Sequence, residues 1–546
     1  MSEENKPDAG GGQAPEQEIR AMVHQEIWQT LSPEQEGELA ELAQEAAQEQ
    51  GISLQNPLPD PEEKHDNKVL FQFFEWFLPD DGQHWDRLRD AAPKLKEMGV
   101  GGVWLPPFCK ATGTNDTGYG IYDLYDLGEF DQRGSVRTKY GTKEQLKAAV
   151  EALHGQGLQV YMDAVLNHKA GADEAETFKV VKVSPENREQ TISEPFDIQG
   201  WTRFTFPGRQ GKYSKFQWNF QHFTAVNFDQ NTGEMGIFRI LGDNKGFSDQ
   251  VSDEHGNFDY LMFADIDYRN ADVIDETLRW GAWVVQEMNL DGMRMDAVKH
   301  IDHRFMEAFI RHVKLETGRP LFFVGEYWMP LHGELENYLH ETEGMMALFD
   351  VALHYRFAQA SHLGRDFDLR TMFHDTLIGR NALSCVTFVD NHDSQPGQAL
   401  ENWVQDWFKP LAYALILLRK DGYPCVFYGD YYGISGGNPI PGKGGALDPL
   451  LLARARYAYG EQHDYFDHAN TVGWTRLGDA EHPGSGLACV LSNGEDGVKR
   501  MNMGGYAAHA RFRDLTGNLP DIVQADGDGW ADFRCRGGSV SVWVRE

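Results

Sequence analysis

The sequence predicts an α/β protein: a parallel (β/α)8 barrel with a β-rich domain inserted after the third strand and an antiparallel β-domain at the C-terminus. Three observations predict it. From residue 68 to about residue 456, strand-like apolar runs alternate with helix-periodic stretches, and eight such strands can be placed. The alternation stops once, between 169 and 264, where Gly, Asn, Asp and aromatic residues replace any long helical period. Four of the apolar runs also end in carboxylates, His or Asn, and a parallel barrel brings its C-terminal strand ends to one face.

Taken in order, the strands fall at 69–76, 99–106, 158–165, 292–296, 322–326, 345–353, 385–390 and 424–428. Helices are predicted at 85–98, 143–154, 272–290, 303–316 and 403–420. After Arg456 the helical signal fades, and alternating runs at 487–491 and 539–544 lie between Gly/Asp/Asn turns. The expected units are an acidic extension (1–65), the barrel (66–168 and 265–455), the inserted domain (169–264) and a C-terminal β-sandwich (456–546).

The extension has its own pattern. Residues 1–15 carry Gly, Pro, Glu and Gln without periodicity and read as disordered. A first helix is expected at 16–31, with Ile19, Met22, Val23 and Ile27 on one face. Ser32, Pro33 and Gln35 start a second helix, with Ser32 as N-cap and Pro33 in the first turn. Its thin apolar stripe is Leu39, Leu42 and Ala46, and Gly51 ends it. The pair reads either as a hairpin docked on the body or as an appendage for a partner. A Pro- and acid-rich linker follows at 57–64.

The 546 residues carry a formal net charge of −34, which argues against nucleic acid as a partner and leaves a neutral substrate open. The first 65 residues hold 3 Lys/Arg against 15 Asp/Glu, a net −12, so much of that charge is local. Five widely spaced cysteines form no CxxC and read as reduced, small apolar side chains. The N-terminus has neither a basic region nor an apolar core of the secretory kind. No apolar run reaches the roughly 20 residues of a membrane helix. The expectation is a cytoplasmic protein without a membrane partner.

The chemistry is sharpest in Asp291-Gly-Met-Arg-Met-Asp-Ala-Val-Lys-His300. Alternation along a strand puts Arg294 and Asp296 on one face and Met293 and Met295 on the other. An inward Arg and Asp are either a buried ion pair or working groups. The endings of 158–168, 321–328 and 383–393 add Asp163, His168, Glu326, His392 and Asp393 to the same rim. No phosphate loop or HExxH is present, and carboxylates are the catalytic groups that gather at the strand ends. Two carboxylates flanking a scissile bond suit glycoside hydrolysis. An arginine beside the nucleophile would hold its pKa low, and a drier wall would keep its partner protonated.

Four segments then resemble, in order, the signature regions of the α-amylase family of glycoside hydrolases: DAVLNH (163–168), GMRMDAVKH (292–300), GEYW (325–328) and FVDNHD (388–393). GYGIYDLYDLGEF (118–130) and NFDYLMFADIDY (257–268) resemble the liquefying and cytoplasmic bacterial members. The resemblance runs from about 69 to 546 and implies a retaining, endo-acting hydrolase of α-1,4-glucans such as maltodextrin, soluble starch or glycogen. By that resemblance Asp296 is the nucleophile, Glu326 the acid/base and Asp393 the transition-state stabiliser. Arg294 orients and ionises Asp296, and His168 and His392 bond the sugar. Tyr119 stacks beneath the sugar, and Lys299 and Trp328 line the leaving-group side.

The resemblance also implies one structural calcium ion, held by Asn167, Asp259, Asp265 and the backbone carbonyl of His300. Positions of a second metal cluster found in some relatives read Asn227, Ser248 and Arg269 here. Asp267 alone remains acidic, so that cluster is expected to be absent. Among the aromatic residues of the insertion (Trp201, Phe204, Phe206, Tyr213, Trp218 and Phe220), most are expected in its core and some against sugars. A glucanotransferase of the same fold is the alternative reading. A non-catalytic glucan-binding scaffold is the alternative of a different class.

Overall fold

The computed structural model describes residues 33–56 and 67–546. The calls on 1–32, Ser32 as N-cap among them, and on 57–64 lie outside the described residues. Eight parallel strands close into a barrel, each paired with its sequence neighbours and the eighth with the first. They are Val69–Gln72, Val100–Trp104, Gln159–Ala164, Gly292–Met295, Phe322–Gly325, Ala347–Phe349, Cys385–Phe388 and Tyr423–Phe427. All are buried, apart from the first residue of the third, because the barrel interior packs one face and helices cover the other.

Close approach explains one glycine in this set. A Cβ at Gly292 would lie 1.9 Å from the Phe322 carbonyl oxygen, so strand four can meet strand five there only without a side chain. Helix Lys143–Gly155 starts on a capping box between Thr142 and Gln145. Helices Ala271–Met288 and His303–Thr317 start on Asn270 and Asp302 and end on left-handed Asn289 and Gly318.

Three elements differ from the sequence reading by more than two residues. The first strand ends at Gln72, not at residue 76. The sixth strand ends at Phe349, not at residue 353. Asp350 accepts the Leu353 N–H at 2.9 Å and caps a helix, Val351–Leu363, whose apolar start had passed for strand. The helix expected at 403–420 is the shorter Lys409–Leu417, with Pro410 in its first turn. Helix His332–Glu341 carried too weak a stripe to be read.

The insertion forms a six-stranded sheet that uses His168–Lys169 and Ala264–Ile266 as its barrel-side strands. Phe204, Phe206 and Trp218 are buried in it, whereas Trp201 and Tyr213 are exposed. The C-terminal region pairs a six-stranded antiparallel sheet with the two-stranded Gly497–Asn502 and Trp530–Cys535. Ala488, Val490, Met501, Phe512, Phe533 and Trp543 fill the space between them. The second extension helix is Pro33–Gln50, and it buries Leu39, Ala43 and Ala47. All five cysteines are buried and free. No described helix is long and apolar enough to cross a membrane.

Candidate active site

The C-terminal rim of the barrel gathers the predicted groups around one guanidinium. Arg294 Nη1 lies 2.7 Å from Asp163 Oδ1 and 2.5 Å from Asp296 Oδ1. Its Nη2 lies 2.8 Å from Glu326 Oε2 in ion-pair contact, off the N–H direction. Strands three, four and five place these groups by register alone: Arg294 is paired with Asp163 on one side and Val324 on the other. Trp104 Nε1 and the Tyr119 hydroxyl both donate to Asp163 Oδ2, at 3.1 and 2.8 Å. Asp163 is thereby fully occupied, while Asp296 and Glu326 keep oxygen toward the cleft.

The electrostatics correct one expectation. Arg294 does not hold Asp296 below the usual carboxylate range. Burial, the largest influence, raises it, and Arg294 only partly offsets this because three carboxylates share the one cation. Glu326 is raised by burial and by Asp296. Asp163 is pushed up to about 7 by burial. Asp393 stands well above its ordinary value through burial and the charges of Glu326, Asp296 and Asp163. All four lie close enough to titrate as one network, in which burial favours the protonated forms.

Across the cleft, Gln72 Nε2 donates to His392 Nδ1 at 3.0 Å. Burial holds that ring neutral, so its proton sits on Nε2, which has no hydrogen-bond partner among the described residues and lies 3.2 Å from Asp393 Oδ2. The rings of Trp76, Tyr119 and His392 lie within 7° of parallel, with Tyr119 5.1 Å from His392 and 5.8 Å from Trp76. Lys299 Nζ donates to the Trp328 carbonyl at 3.1 Å and to Glu254 at 2.8 Å. Trp328 Nε1 is a buried donor without a partner among the described residues.

His168 departs from its expected role. Its Nε2 donates to the Tyr119 carbonyl at 2.8 Å and its Nδ1 lies 3.2 Å from Asn167 Oδ1, so both nitrogens face protein. Here it orients the Tyr119 segment. Trp104, Gln72, Trp76 and Glu254 were not singled out from the sequence. Gln72 was findable, because it is a polar residue ending an apolar barrel strand, as Asp163 is.

The calcium expectation can be tested on the donors present. Among the described residues, no group of three or more His, Cys, Asp or Glu side chains gathers as a metal site. The expected set is instead two carboxylates, an amide and a carbonyl. Asn167, Asp259 and His300 line a cavity of about 10 Å³, room for one water-sized particle. Asp265 Oδ1 is buried with no partner, while its Oδ2 accepts from Thr224. Burial, the largest influence, and neighbouring carboxylates hold Asp259 and Asp265 well above the ordinary range, more than Arg269 and Arg188 offset.

Asn167 adds a third sign. Its Nδ2 donates to the His300 carbonyl at 3.2 Å. His168 is neutral, its pKa lowered to about 4 by burial, and its Nε2 proton is committed to Tyr119. Its Nδ1 is therefore an acceptor facing the Asn167 oxygen. Turning the amide by half a revolution satisfies Nδ1 and sets two carbonyl oxygens side by side, an arrangement that suits a hard cation. The residues fit the ion. At the position where some relatives carry a second cluster, Lys245 Nζ donates to Asp267 Oδ2 at 2.6 Å and to the Phe223 carbonyl at 3.0 Å, a protein cation among oxygens.

Carboxylates arrayed around an arginine at the C-terminal rim of a (β/α)8 barrel define a barrel enzyme of the acid/base kind. Residues 85–462 match the family described as alpha amylase, catalytic domain, and residues 487–544 match alpha-amylase C-terminal. The chain belongs to the alpha-amylase family of glycoside hydrolases, which act on α-1,4-glucans, and carries that family's catalytic domain.

Its relatives include an alpha-amylase of Geobacillus stearothermophilus, 51% identical and covering 88% of this chain and 87% of the relative. A glucan 1,4-alpha-maltohexaosidase of a Bacillus species is 48% identical over 90% of this chain and 96% of the relative. A cytoplasmic alpha-amylase of Escherichia coli is 46% identical over 88% and 99%. The solved alpha-amylase of Geobacillus thermoleovorans complexed with acarbose shares the fold, with a TM-score of 0.61 at 19% identity over 89% of this chain and 99% of that one.

Proposed function

We propose that the protein is an endo-acting, retaining α-amylase of maltodextrin, soluble starch or glycogen. The observation that carries this reading is the shared Arg294, which holds Asp296 and Glu326 on the two arms of one guanidinium with His392 and Asp393 opposite. In the first step the Asp296 carboxylate attacks the anomeric carbon while Glu326 passes its proton to the departing glycosidic oxygen. In the second, water gives its proton to Glu326 and its hydroxyl to the anomeric carbon, which frees Asp296 with configuration retained.

Burial raises Glu326, which favours the protonated form that the first step needs. Asp296 makes the short contact to Arg294 and is the group that carries the charge. Asp393 and the His392 Nε2 proton hold sugar hydroxyls, and the parallel Tyr119 ring takes the apolar sugar face. Lys299 and Trp328 line the leaving-group side, and His168 acts through Tyr119. Calcium, held by Asn167, Asp259, Asp265 and the His300 carbonyl, would supply structural charge neutralisation where the insertion meets the barrel.

The same reading divides the chain near residues 66, 169, 265 and 456. It places the protein in the cytoplasm, in keeping with five buried, unpaired cysteines and the name of the Escherichia coli relative.

The test is a time course on soluble starch and maltoheptaose, with anomers followed by NMR, for wild type and Asp296→Asn. Early α-anomeric short products from wild type and essentially none from the variant are expected. Longer oligomers without new reducing ends would assign a transferase. No product from folded, calcium-loaded wild type would leave a binding scaffold.

A further inference from the structure

The family match begins at residue 85, yet chain well ahead of it is built into the barrel. Ala43 and Ala47, one helical turn apart, are fully buried, and Leu54 joins them in a small apolar cluster that packs on Leu315. Gly51, at φ 70°, ends the helix, and the Ile52 N–H returns to the Ala47 carbonyl at 3.0 Å. The chain then passes beneath helix His303–Thr317. Lys314 Nζ, on a buried side chain, donates to the Leu54 and Gln55 carbonyls at 2.7 and 3.0 Å.

Asn56 comes next, and its amide reaches the barrel backbone twice. Its Nδ2 donates to the Phe323 carbonyl and its Oδ1 accepts the Phe323 N–H, both at 2.9 Å. The ladder explains why Phe323 needs this. In a parallel sheet, alternate residues of a strand bond alternate neighbours. Phe322 and Glu326 give their N–H groups to Asp291 and Met295 on the strand-four side. Phe323 therefore faces strand six, whose pairing starts only at Val324 with Ala347. Both polar groups of a buried backbone position are left for a side-chain amide to satisfy.

We propose that Asn56 is a positioning residue for Glu326: its amide stands in for the missing residue of strand six and fixes the register of strand five. The proposal rests on Glu326 being the acid/base. Only Val324 and Gly325 separate Phe323 from Glu326 along an extended run of chain, so freedom at the first is carried to the second. Glu326 in turn takes its place from backbone contacts of that strand: its N–H bonds Met295 O at 2.9 Å, and its carbonyl accepts from Val298 at 3.1 Å. An extension outside the family match thus completes the strand that carries the proton donor.

The test compares the full chain with Asn56→Ala, Asn56→Asp and a control, Val490→Ala, in the separate C-terminal core. Asn56→Ala is expected to lower kcat on maltoheptaose about ten-fold with KM changed less than about two-fold, as a small misplacement of a reacting group does. The alkaline limb of its kcat–pH profile, where Glu326 loses its proton, should move as well. Asn56→Asp accepts the Phe323 N–H but donates nothing, so it should fall between, and it decides the matter if Asn56→Ala does not fold. Val490→Ala should lose Tm and keep both kcat and the limb. A fall in Tm with unchanged kcat and pH limb in the Asn56 variants overturns the proposal and leaves a structural clamp. A wild-type chain that cleaves no glucan would instead bring down the acid/base reading, so the two failures are separate.

Discussion

The Ala297 N–H donates to Glu326 Oε2 at 3.0 Å from a backbone held at φ 50°. A non-glycine residue in the left-handed region beside Asp296 is strain located at the reacting groups. Its effect is to aim one N–H at the acid while the chain turns out of strand four. Ala297→Gly relieves the strain and should keep kcat within about two-fold, because glycine adopts this region freely. Ala297→Val cannot hold it without a cost of about 1–2 kcal/mol, and kcat should fall about ten-fold. Initial rates on maltoheptaose together with Tm check both.

Arg294 spans three carboxylates with a planar fork, which an ammonium cannot imitate. Arg294→Lys is expected to cut kcat by about a hundred-fold or more while the chain stays folded, through lost orientation and weaker ionisation of Asp296. Single-turnover trapping of the glycosyl-enzyme should show the loss in its formation. An equal loss in binding of an unreactive oligosaccharide would show that Arg294 serves affinity instead.

The carboxylate network also gives stability a sign with pH. Asp163 is raised from 3.8 to about 7 on folding, so the folded protein holds a proton that the unfolded chain has released. That contribution is full below about pH 4 and is lost as pH rises through about 7. Asp163→Asn removes it and keeps an acceptor for Tyr119 and Trp104. Between pH 4 and 7 the decline of the variant's Tm should be shallower than that of wild type. Parallel declines would mean that the proton resides elsewhere in the network.

Much of this site was legible because its residues sit at strand ends, where polar groups interrupt apolar runs. Arg294, Asp296, Glu326, His392 and Asp393 were placed by that signal alone. What stayed hidden is what three dimensions decide. Burial of Asp296, which the shared guanidinium only partly offsets, reversed the expected direction of its shift. His168 sits at a strand end too, but its partners are a loop carbonyl and its neighbour Asn167. Asn56 lies on no recognisable element, and its role exists only because strand six begins late. The short sixth strand was misread because Val351-Ala-Leu353 is equally apolar in a strand or a helix, and only the Asp350 cap decides.

Calcium removal should act on stability before chemistry. Asp265 Oδ1 has no hydrogen-bond partner among the described residues and burial holds Asp259 well above its ordinary range, so a bound dication stabilises the fold by mass action. Chelation of the purified protein is expected to lower Tm by several degrees. Asp265→Asn should start from a Tm near the chelated value and respond little to chelator or added calcium. A variant that responds as wild type does would remove Asp265 from the ligand set.

The turn that carries His392 and Asp393 is held from behind by a buried cation. Lys409 Nζ contacts Asp390 Oδ2 at 2.6 Å and also Asp430, and the ring of Trp403 lies 3.2 Å from it. Asp390 Oδ1 accepts from Ser394, whose Oγ in turn accepts the Asn391 N–H at 3.0 Å, so the ion pair is wired into the turn. Lys409→Met leaves two buried carboxylates facing each other, which costs about 3–5 kcal/mol when one partner of a buried pair is lost. Lys409→Met with Asp390→Asn and Asp430→Asn removes the charge imbalance and should recover most of the Tm. If the cation also positions the turn, the triple variant will stay below wild type in kcat after stability returns. Full recovery of kcat would confine Lys409 to the fold.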